Sequence, residues 1–378
     1  MIKWNIPFTV LCALISLASL RAATLPALHP FALREVTRFS VPAGPKSLRF
    51  TPDGQRVVVD CLYDHQVLVL DSTSYKVIRA ILLPDEPVEC AITADSRRAW
   101  VSLYNSRCIV EIDLVSGQTL HTICVGSIPK VVQLSPDGRW VYVANWDSGT
   151  VSVIDTVHYT RVTDIPVGRV PRGICFTSDG RYAYVALMGG STLAKIDVGM
   201  QQVVAQIPVG RNPRHVTIDD TDANAYVSNN SLGIISKVDL ARDSVVGRIR
   251  VGQNPRTIAL APHMAELYVC NYGSNTLGVV DLTTLRQVAS YPTFMHPIGV
   301  TVSPDGRYVW VSSYRTSTVH VFRTAENGVQ SAPEQNVAFL NAGSALADRA
   351  HRSHRIHLLV IAMLLLLGVA IWLLFTRR

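Results

Sequence analysis

Residues 135–155, SPDGRWVYVANWDSGTVSVID, contain two short runs of alternating β-branched and aromatic residues, each preceded by turn residues. The SPDG segment has proline second and glycine fourth, which suits a type I turn. Strand-like runs flank this stretch on both sides, at residues 130–135 and 159–167. Short alternating runs bounded by Gly, Pro, Asp and Ser are typical of strands. The stretch and its flanks therefore predict a unit of four short strands.

The same unit recurs along the chain with a constant period of 42 residues, and each copy contains one proline at the same place. The seven repeat prolines are Pro45, Pro87, Pro129, Pro171, Pro213, Pro255 and Pro297. A four-stranded unit of about 40 residues is the signature of a propeller blade. The sequence therefore predicts an all-β fold, a seven-bladed β-propeller.

Two further columns of residues follow the same period. The first contains the aspartates Asp71, Asp113, Asp155, Asp197, Asp239 and Asp281. The second contains the aromatic residues Trp100, Tyr142, Tyr184, Tyr226, Tyr268 and Trp310. Aspartates commonly close turns by accepting bonds from nearby backbone, and repeated units solve the same packing problem in every copy. We therefore assign the aspartates to turns and the aromatic residues to packing between blades.

The number of strands predicts how the ring closes. A fourth strand follows each of the first six units, but the residues after Phe322 are not strand-like. Residues 35–41, EVTRFSV, precede the first unit and align with residues 203–209, four periods later. We therefore expect this N-terminal strand to become the outer strand of blade seven, which leaves no broken blade edge.

The segments VGRNPR, SPDGRWVYVANWDSGTVSVID and SPDGRYVWVSS resemble the YVTN-type β-propeller repeat family, which includes YncE-like proteins. The resemblance covers residues 35–324 and implies a propeller of the WD40/YVTN repeat-like kind. Similar propellers occur in surface-layer proteins, DNA-associated periplasmic proteins, lactonases and haem d1 domains. The resemblance is therefore specific for the fold and uninformative about function.

Both ends of the chain are apolar. Residues 1–22 have the pattern of a secretory signal peptide, with an uncleaved anchor as the alternative. Residues 356–375 are predicted to form a transmembrane helix, because the run at 358–375 has no charged residue. A polar linker, 325–355, joins this helix to the propeller, and the basic tail, 376–378, is expected in the cytoplasm. These features predict a single-pass protein of the cytoplasmic membrane with its propeller on the periplasmic or extracellular side.

Charge and cysteine content exclude several classes of protein. The formal net charge is +7, of which residues 1–33 and 325–378 contribute +4, so the propeller is no polycation. Six cysteines lie beyond residue 22 without a CxxC or CxxCH motif, so zinc knuckles and covalent c-type haem are not indicated. We interpret them mainly as small buried residues, and the sequence does not select a disulfide pair.

Positive and aromatic residues are predicted to meet at one end of the central channel. In propellers of this type the first strand of each blade lines the channel, and the loops that precede it share a face with the loops between the second and third strands. The candidate ligand-binding cations of the first group of loops are Lys46, Lys130, Arg169, Arg172, Arg211, Arg214 and Arg256. The candidate aromatic and amide residues of the second group are Tyr104, Trp146, Tyr272, Tyr314, Asn145, Asn229 and Asn271.

This combination suits an anionic ligand with planar parts, held by charge-assisted hydrogen bonds and stacking. The candidate ligands are a nucleic acid, a phosphorylated metabolite and an acidic cell-wall polymer, and a protein partner is the other candidate. We expect a monomeric, non-catalytic binding or scaffold module without a cofactor. The alternatives are a lactonase-like hydrolase and a haem d1-type cofactor protein. No HExxH, GxSxG, Walker or dinucleotide motif is present, so no catalytic or metal-binding residue is assigned.

Overall fold

The computed structural model describes residues 32–263 and 265–325, which form seven four-stranded antiparallel sheets. The innermost strands are β2 (Pro45–Phe50), β6 (Pro87–Ile92), β10 (Pro129–Leu134), β14 (Pro171–Phe176), β18 (Pro213–Ile218), β22 (Pro255–Leu260) and β26 (Pro297–Val302). The second strands are β3 (Arg56–Cys61), β7 (Arg98–Leu103), β11 (Trp140–Asn145), β15 (Tyr182–Leu187), β19 (Asn224–Asn229), β23 (Glu266–Asn271) and β27 (Tyr308–Ser313).

The remaining strands form the outer half of each blade. The third strands are β4 (Gln66–Asp71), β8 (Cys108–Asp113), β12 (Thr150–Asp155), β16 (Thr192–Asp197), β20 (Ile234–Asp239), β24 (Thr276–Asp281) and β28 (Thr318–Thr324). The outer strands are β1 (Leu33–Ser40), β5 (Val77–Leu82), β9 (Thr119–Cys124), β13 (Thr160–Pro166), β17 (Gln202–Pro208), β21 (Ser244–Arg250) and β25 (Arg286–Pro292). Each innermost strand contacts the innermost strands of both neighbouring blades, so the seven sheets surround one channel. The prediction of an all-β, seven-bladed propeller is confirmed.

The ring closes through the two ends of the described chain. Strand β1 pairs antiparallel with β28. Leu33 lies opposite Thr324 at one end of the pairing, and Ser40 lies opposite Thr318 at the other end. The Nδ1 atom of the buried His320 lies 2.9 Å from Oε1 of Glu35, which links the two strands through their side chains. The first strand of the described residues therefore completes the last blade, as predicted.

The two repeated columns have the structural roles assigned to them. The aromatic residues of the column Trp100 to Trp310 are all buried, and the Tyr142 ring packs edge-on against Phe176 of the next blade at 4.9 Å. In the aspartate column, Asp71 Oδ1 accepts bonds from the backbone N–H groups of Thr73 and Ser74. Asp113, Asp155 and their equivalents close the same turn in later blades.

The predicted signal peptide at 1–22, the transmembrane helix at 356–375 and the tail at 376–378 lie outside the described residues, as does the linker at 325–355 apart from Ala325. Among the residues that are described, no helix is long and apolar enough to cross a membrane. The membrane topology stays a prediction.

Deletion of residues 33–40 should strongly destabilise the propeller, because it leaves blade seven with three strands and an exposed strand edge. Deletion of residues 326–378 is the matched control, since it removes no described strand. We expect the first variant to aggregate or to melt well below the control in thermal unfolding followed by circular dichroism. Equal melting temperatures and equal monomer yields for the two variants would contradict closure by β1.

Candidate anion site at the channel mouth

The loops that enter the innermost strands share an unusual backbone geometry. The residue before the repeat proline has a positive φ in six of the seven blades, from 50° to 71°. Two of these residues, Ile128 and Val170, are β-branched, and such residues rarely adopt the left-handed region. Proline then starts the strand, where its missing N–H is tolerated. This entry geometry also precedes Ile298 in blade seven, so it belongs to the repeat, and it sets where Lys130 and Arg172 begin their strands.

The structure brings together the five cations that follow the repeat prolines. Each of Lys130 and Arg214 has only 8% of its surface exposed. Glycine at position 173 permits the close approach of β14 and β18, because a Cβ atom there would lie 2.7 Å from the Cα atom of His215. The cluster of these five side chains, called the cation ring below, consists of Lys46, Lys130, Arg172, Arg214 and Arg256.

Mutual repulsion and burial oppose the charge of the cation ring. Burial, followed by repulsion from four other members of the ring, lowers the pKa of Lys46 well below its usual range. Burial and the charges of Arg172 and Arg214 lower the pKa of Lys130 to about 7. Burial also lowers the pKa of Arg172, to about 10. Such shifts show a site where positive charge is concentrated and incompletely neutralised.

The predicted aromatic residues lie beside the cation ring, with the cations over their faces. The Nζ atom of Lys130 lies 3.5 Å from the centre of the Tyr104 ring, in the preceding blade, and 5.8 Å from that of Trp146. The guanidinium carbon of Arg256 lies 3.3 Å from the centre of the Tyr272 ring. These cation–π contacts hold the cations in place. Each contact covers one face of an aromatic ring on which a planar ligand was expected to stack.

Two further members of the ring, Lys46 and Arg214, also have close neighbours at the channel mouth. The Nζ atom of Lys46 lies 5.3 Å from the centre of the Tyr314 ring, whose hydroxyl is 2.6 Å from that of Tyr63. Arg214 Nη1 lies 3.6 Å from Sδ of Met188, which stands at the repeat position held by aromatic residues in other blades. The polarisable sulfur thus takes the place of an aromatic face.

The predicted asparagines do not reach the channel. Asn145, Asn229 and Asn271 are fully buried. The Asn145 Nδ2 atom donates to Ser152 Oγ at 2.8 Å, and the Asn229 Nδ2 atom donates to Ser236 Oγ at 3.0 Å. These amides therefore support the loops and the third strands, and they present no group to a ligand in the channel.

Arg169 and Arg211 lie in the same loops as the cation ring but differ in burial. Both side chains are exposed, whereas the ring members are buried or half-buried. The sequence grouped all seven cations together, and the structure separates them into an inner set of five and an outer pair. This difference allows the two sets to be tested independently.

A second polar layer, which the sequence analysis did not identify, lies further along the channel. Arg49 Nη2 and Glu89 Oε1 form an ion pair at 2.9 Å, and both side chains line a cavity of about 370 Å³ with His215. Burial and the nearby Arg49 lower the pKa of His215 to about 3, so this imidazole is neutral. The charge of Glu89 also raises the pKa of Arg172, and so it opposes the lowering that burial causes.

Asp60 adds a buried acid next to this layer. In two other blades the equivalent second-strand position is a serine, Ser102 or Ser228, whose hydroxyl accepts a hydrogen bond from the innermost strand. Asp60 accepts a hydrogen bond from the Oγ atom of Ser47, which is also on the innermost strand. Burial raises the pKa of Asp60 to about 6. Marking the channel-facing positions of each innermost strand, at the second and fourth residues after the proline, could have found Arg49 and Glu89 from sequence.

Comparisons with known proteins agree on the fold. A family model described as "Lactonase, 7-bladed beta-propeller" matches residues 244–362, about a third of the chain. Hydrazine synthase from Kuenenia stuttgartiensis is similar over 77% of this chain and 99% of its own, with a TM-score of 0.69 and 23% identity. The Cps50 (Swd1) β-propeller domain from Myceliophteria thermophila is similar over 78% and 100%, with a TM-score of 0.68 and 11% identity. A search of curated proteins finds no match.

These similarities support a propeller related in fold to seven-bladed lactonases. At such identities the solved structures show the fold alone, and membership of the YVTN-type repeat family stays a prediction. In the parts of the chain that the structure describes, no group of three or more His, Cys, Asp or Glu side chains could hold a metal ion.

Proposed function

We propose that this protein is a binding module that holds a compact, multivalent anion in the cation ring at the channel mouth. The observation that supports this most strongly is the convergence of five cations whose pKa values are all lowered by burial, and in four of them also by other members of the ring. Packing does not require such a cluster, because like charges in a buried place destabilise the fold unless an anion offsets them. A bound anion would remove this penalty through charge-assisted hydrogen bonds.

The burial of the ring favours a compact ligand over a polymer. A phosphorylated or carboxylated metabolite could enter among the inner cations, of which Lys130 and Arg214 are nearly covered. A nucleic acid or a cell-wall polymer would lie across the face and contact mainly the exposed Arg169 and Arg211. The aromatic faces also favour a simple anion, because Tyr104 and Tyr272 already contact Lys130 and Arg256. A base would have to displace Lys130 to stack on that face of Tyr104, and the Tyr272 ring also stacks on His296 at 4.2 Å.

The membrane-tethered, extracytoplasmic location is part of this proposal. It is supported by the signal-like start and by the uncharged run at 358–375. In that arrangement the propeller would bind its ligand or a protein partner outside the cytoplasmic membrane.

A lactonase-like hydrolase is the second candidate, and the family-model match at residues 244–362 favours it. Lactone hydrolysis needs a group that activates water near the bound carbonyl. Glu89 is the residue we would assign to this role, because it lines the channel and influences both Arg172 and Arg214.

Changing Arg172, Arg214 and Arg256 together to Gln should abolish most of the anion binding. With about 1 kcal/mol for each partly screened cation, three losses amount to a roughly 100-fold weaker affinity. The double change of Arg169 and Arg211 to Gln is the matched control and should leave the affinity for sulfate or pyrophosphate nearly unchanged. Isothermal titration with these anions, a short oligonucleotide and polyglutamate measures both variants.

The triple variant should also remain folded, because the change removes repulsion and keeps polar side chains. Loss of binding without loss of melting temperature would support the site. Unchanged binding of sulfate and pyrophosphate by the triple variant would contradict it. A stronger effect in the double variant, confined to the polymers, would indicate that the face binds polymers instead.

Anion binding should weaken as the pH rises above about 7, because the anion binds the ammonium form of Lys130. Below that pH the free protein already holds this proton, and above it the proton must be taken up on binding. The expected slope approaches tenfold in affinity per pH unit for each proton taken up. Sulfate is the suitable probe, since its own charge is constant between about pH 6 and about pH 9. The matched variant Lys130→Arg stays charged, so its slope should be smaller by about one proton; an equal slope in both proteins would contradict this assignment.

A screen for lactone hydrolysis separates the two candidate functions. The binding module should not hydrolyse γ- and δ-lactones faster than buffer does, as followed by proton release with a pH indicator. Turnover that the Glu89→Gln variant loses, while it keeps its fold and its affinity for sulfate, would contradict the binding module and support the hydrolase.

A further inference from the structure

Two cysteines face each other on neighbouring strands of blade two. Cys108 begins strand β8 and Cys124 ends strand β9, and the two residues are direct partners in the antiparallel pairing. Their Sγ atoms lie 3.4 Å apart. The two thiols are thus already in contact although they stand 16 residues apart in the sequence.

The backbone geometry at this position suits a disulfide. Directly opposed residues of an antiparallel pair have Cα atoms about 4.5–5.5 Å apart. A disulfide requires Cα atoms about 4.4–6.8 Å apart, so it could form without moving the strands. Only the side-chain torsions would have to change. Cys124 is exposed and Cys108 is half-buried, so little packing opposes that rotation.

The other described cysteines lack this combination of pairing and access. Cys61, Cys90 and Cys270 are buried within the propeller, and Cys175 lines the channel. A soluble oxidant of the small-disulfide class would therefore reach Cys124 before it reaches the buried thiols.

We propose that Cys108 and Cys124 form a reversible redox pair that a small disulfide, such as oxidised glutathione, converts into an intramolecular disulfide. The Cys124 thiolate attacks one sulfur of oxidised glutathione, and one glutathione thiol leaves. Cys108, after losing its proton to solvent, then attacks Cys124 Sγ and releases the second glutathione. The two protein thiols are oxidised, and one glutathione disulfide is reduced to two thiols.

The order of these two steps follows from the environment of each thiol. Burial, followed by its bond with Cys124, raises the pKa of Cys108 to about 11. Cys108 also lies 3.3 Å from the carbonyl oxygen of Ser106, to which its thiol donates. Cys108 is thus the poorer first nucleophile, and its contact with Cys124 places it to resolve the mixed disulfide.

The pair lies next to two loops of the channel mouth. The loop before Cys108 contains Tyr104, and the loop after Cys124 leads to Lys130. The Nζ atom of Lys130 lies over the aromatic ring of Tyr104. A disulfide would join the two strand ends from which these loops arise. The redox pair does not depend on the proposed anion site, and its test is independent of ligand binding.

Trypsin allows a direct test on the full chain, because cleavage after Arg107 and Lys130 yields one peptide, 108–130, with both cysteines and no others. The folded protein is treated with oxidised glutathione, quenched with an alkylating agent, digested and analysed by mass spectrometry. We expect this peptide to lose the mass of two hydrogen atoms and to take up no alkyl group. After dithiothreitol it should take up two alkyl groups.

Two variants test the assignment of roles. Cys108→Ser should accumulate a glutathione adduct on Cys124, because no second thiol is present to resolve it. Cys175→Ala is the control and should form the internal disulfide in peptide 108–130 as the parent does. The proposal is overturned if the parent peptide stays fully alkylatable, or if it carries stable glutathione adducts without closing.

Discussion

The pairing of β1 with β28 is the constraint on which the rest of the structure depends. Seven sheets of the same sequence pattern could stack as an open array, and open arrays leave an unpaired strand edge. Because the outer strand of blade seven comes from the other end of the chain, the array must close into a ring. Closure then fixes the distance of every innermost strand from the channel axis.

The cation ring is a consequence of this closure. Five of the seven blades have one cation directly after the repeat proline. When the blades close, the five cations converge, and the charges of other members lower the pKa values of Lys46, Lys130, Arg172 and Arg214. Cation–π contacts with Tyr104 and Tyr272 and the ion pair of Arg49 with Glu89 offset part of the repulsion. The proposed anion would offset the rest.

Much of the fold could be predicted from the sequence because its period of 42 residues contains no insertion, so one blade aligned all the others. The closing strand followed from counting strands, and the positions of the five inner cations followed from the topology of a propeller. The pairs between blades could not be predicted in the same way. Lys130 lies on Tyr104 of the preceding blade, and that contact depends on the angle between blades, which no single repeat encodes.

The burial of Asn145 and its equivalents was missed for a related reason. An asparagine next to a loop could either bind a ligand or hold the loop in place. The contact of Asn145 with Ser152 on the next strand shows that it holds the loop, and this contact is visible only in the structure. The facing of Cys108 and Cys124 likewise depends on the register of β8 against β9. Turn length sets that register, and strand-like runs alone do not show which residues of a hairpin face each other.

Anomalous diffraction from crystals soaked in selenate, a heavier analogue of sulfate, would test the proposed site most directly. The anion site predicts a selenium peak in the channel mouth, with selenate oxygens within hydrogen-bond distance of Arg172, Arg214 and Arg256. A mouth without a peak, with selenate only beside the exposed Arg169 and Arg211, would contradict it.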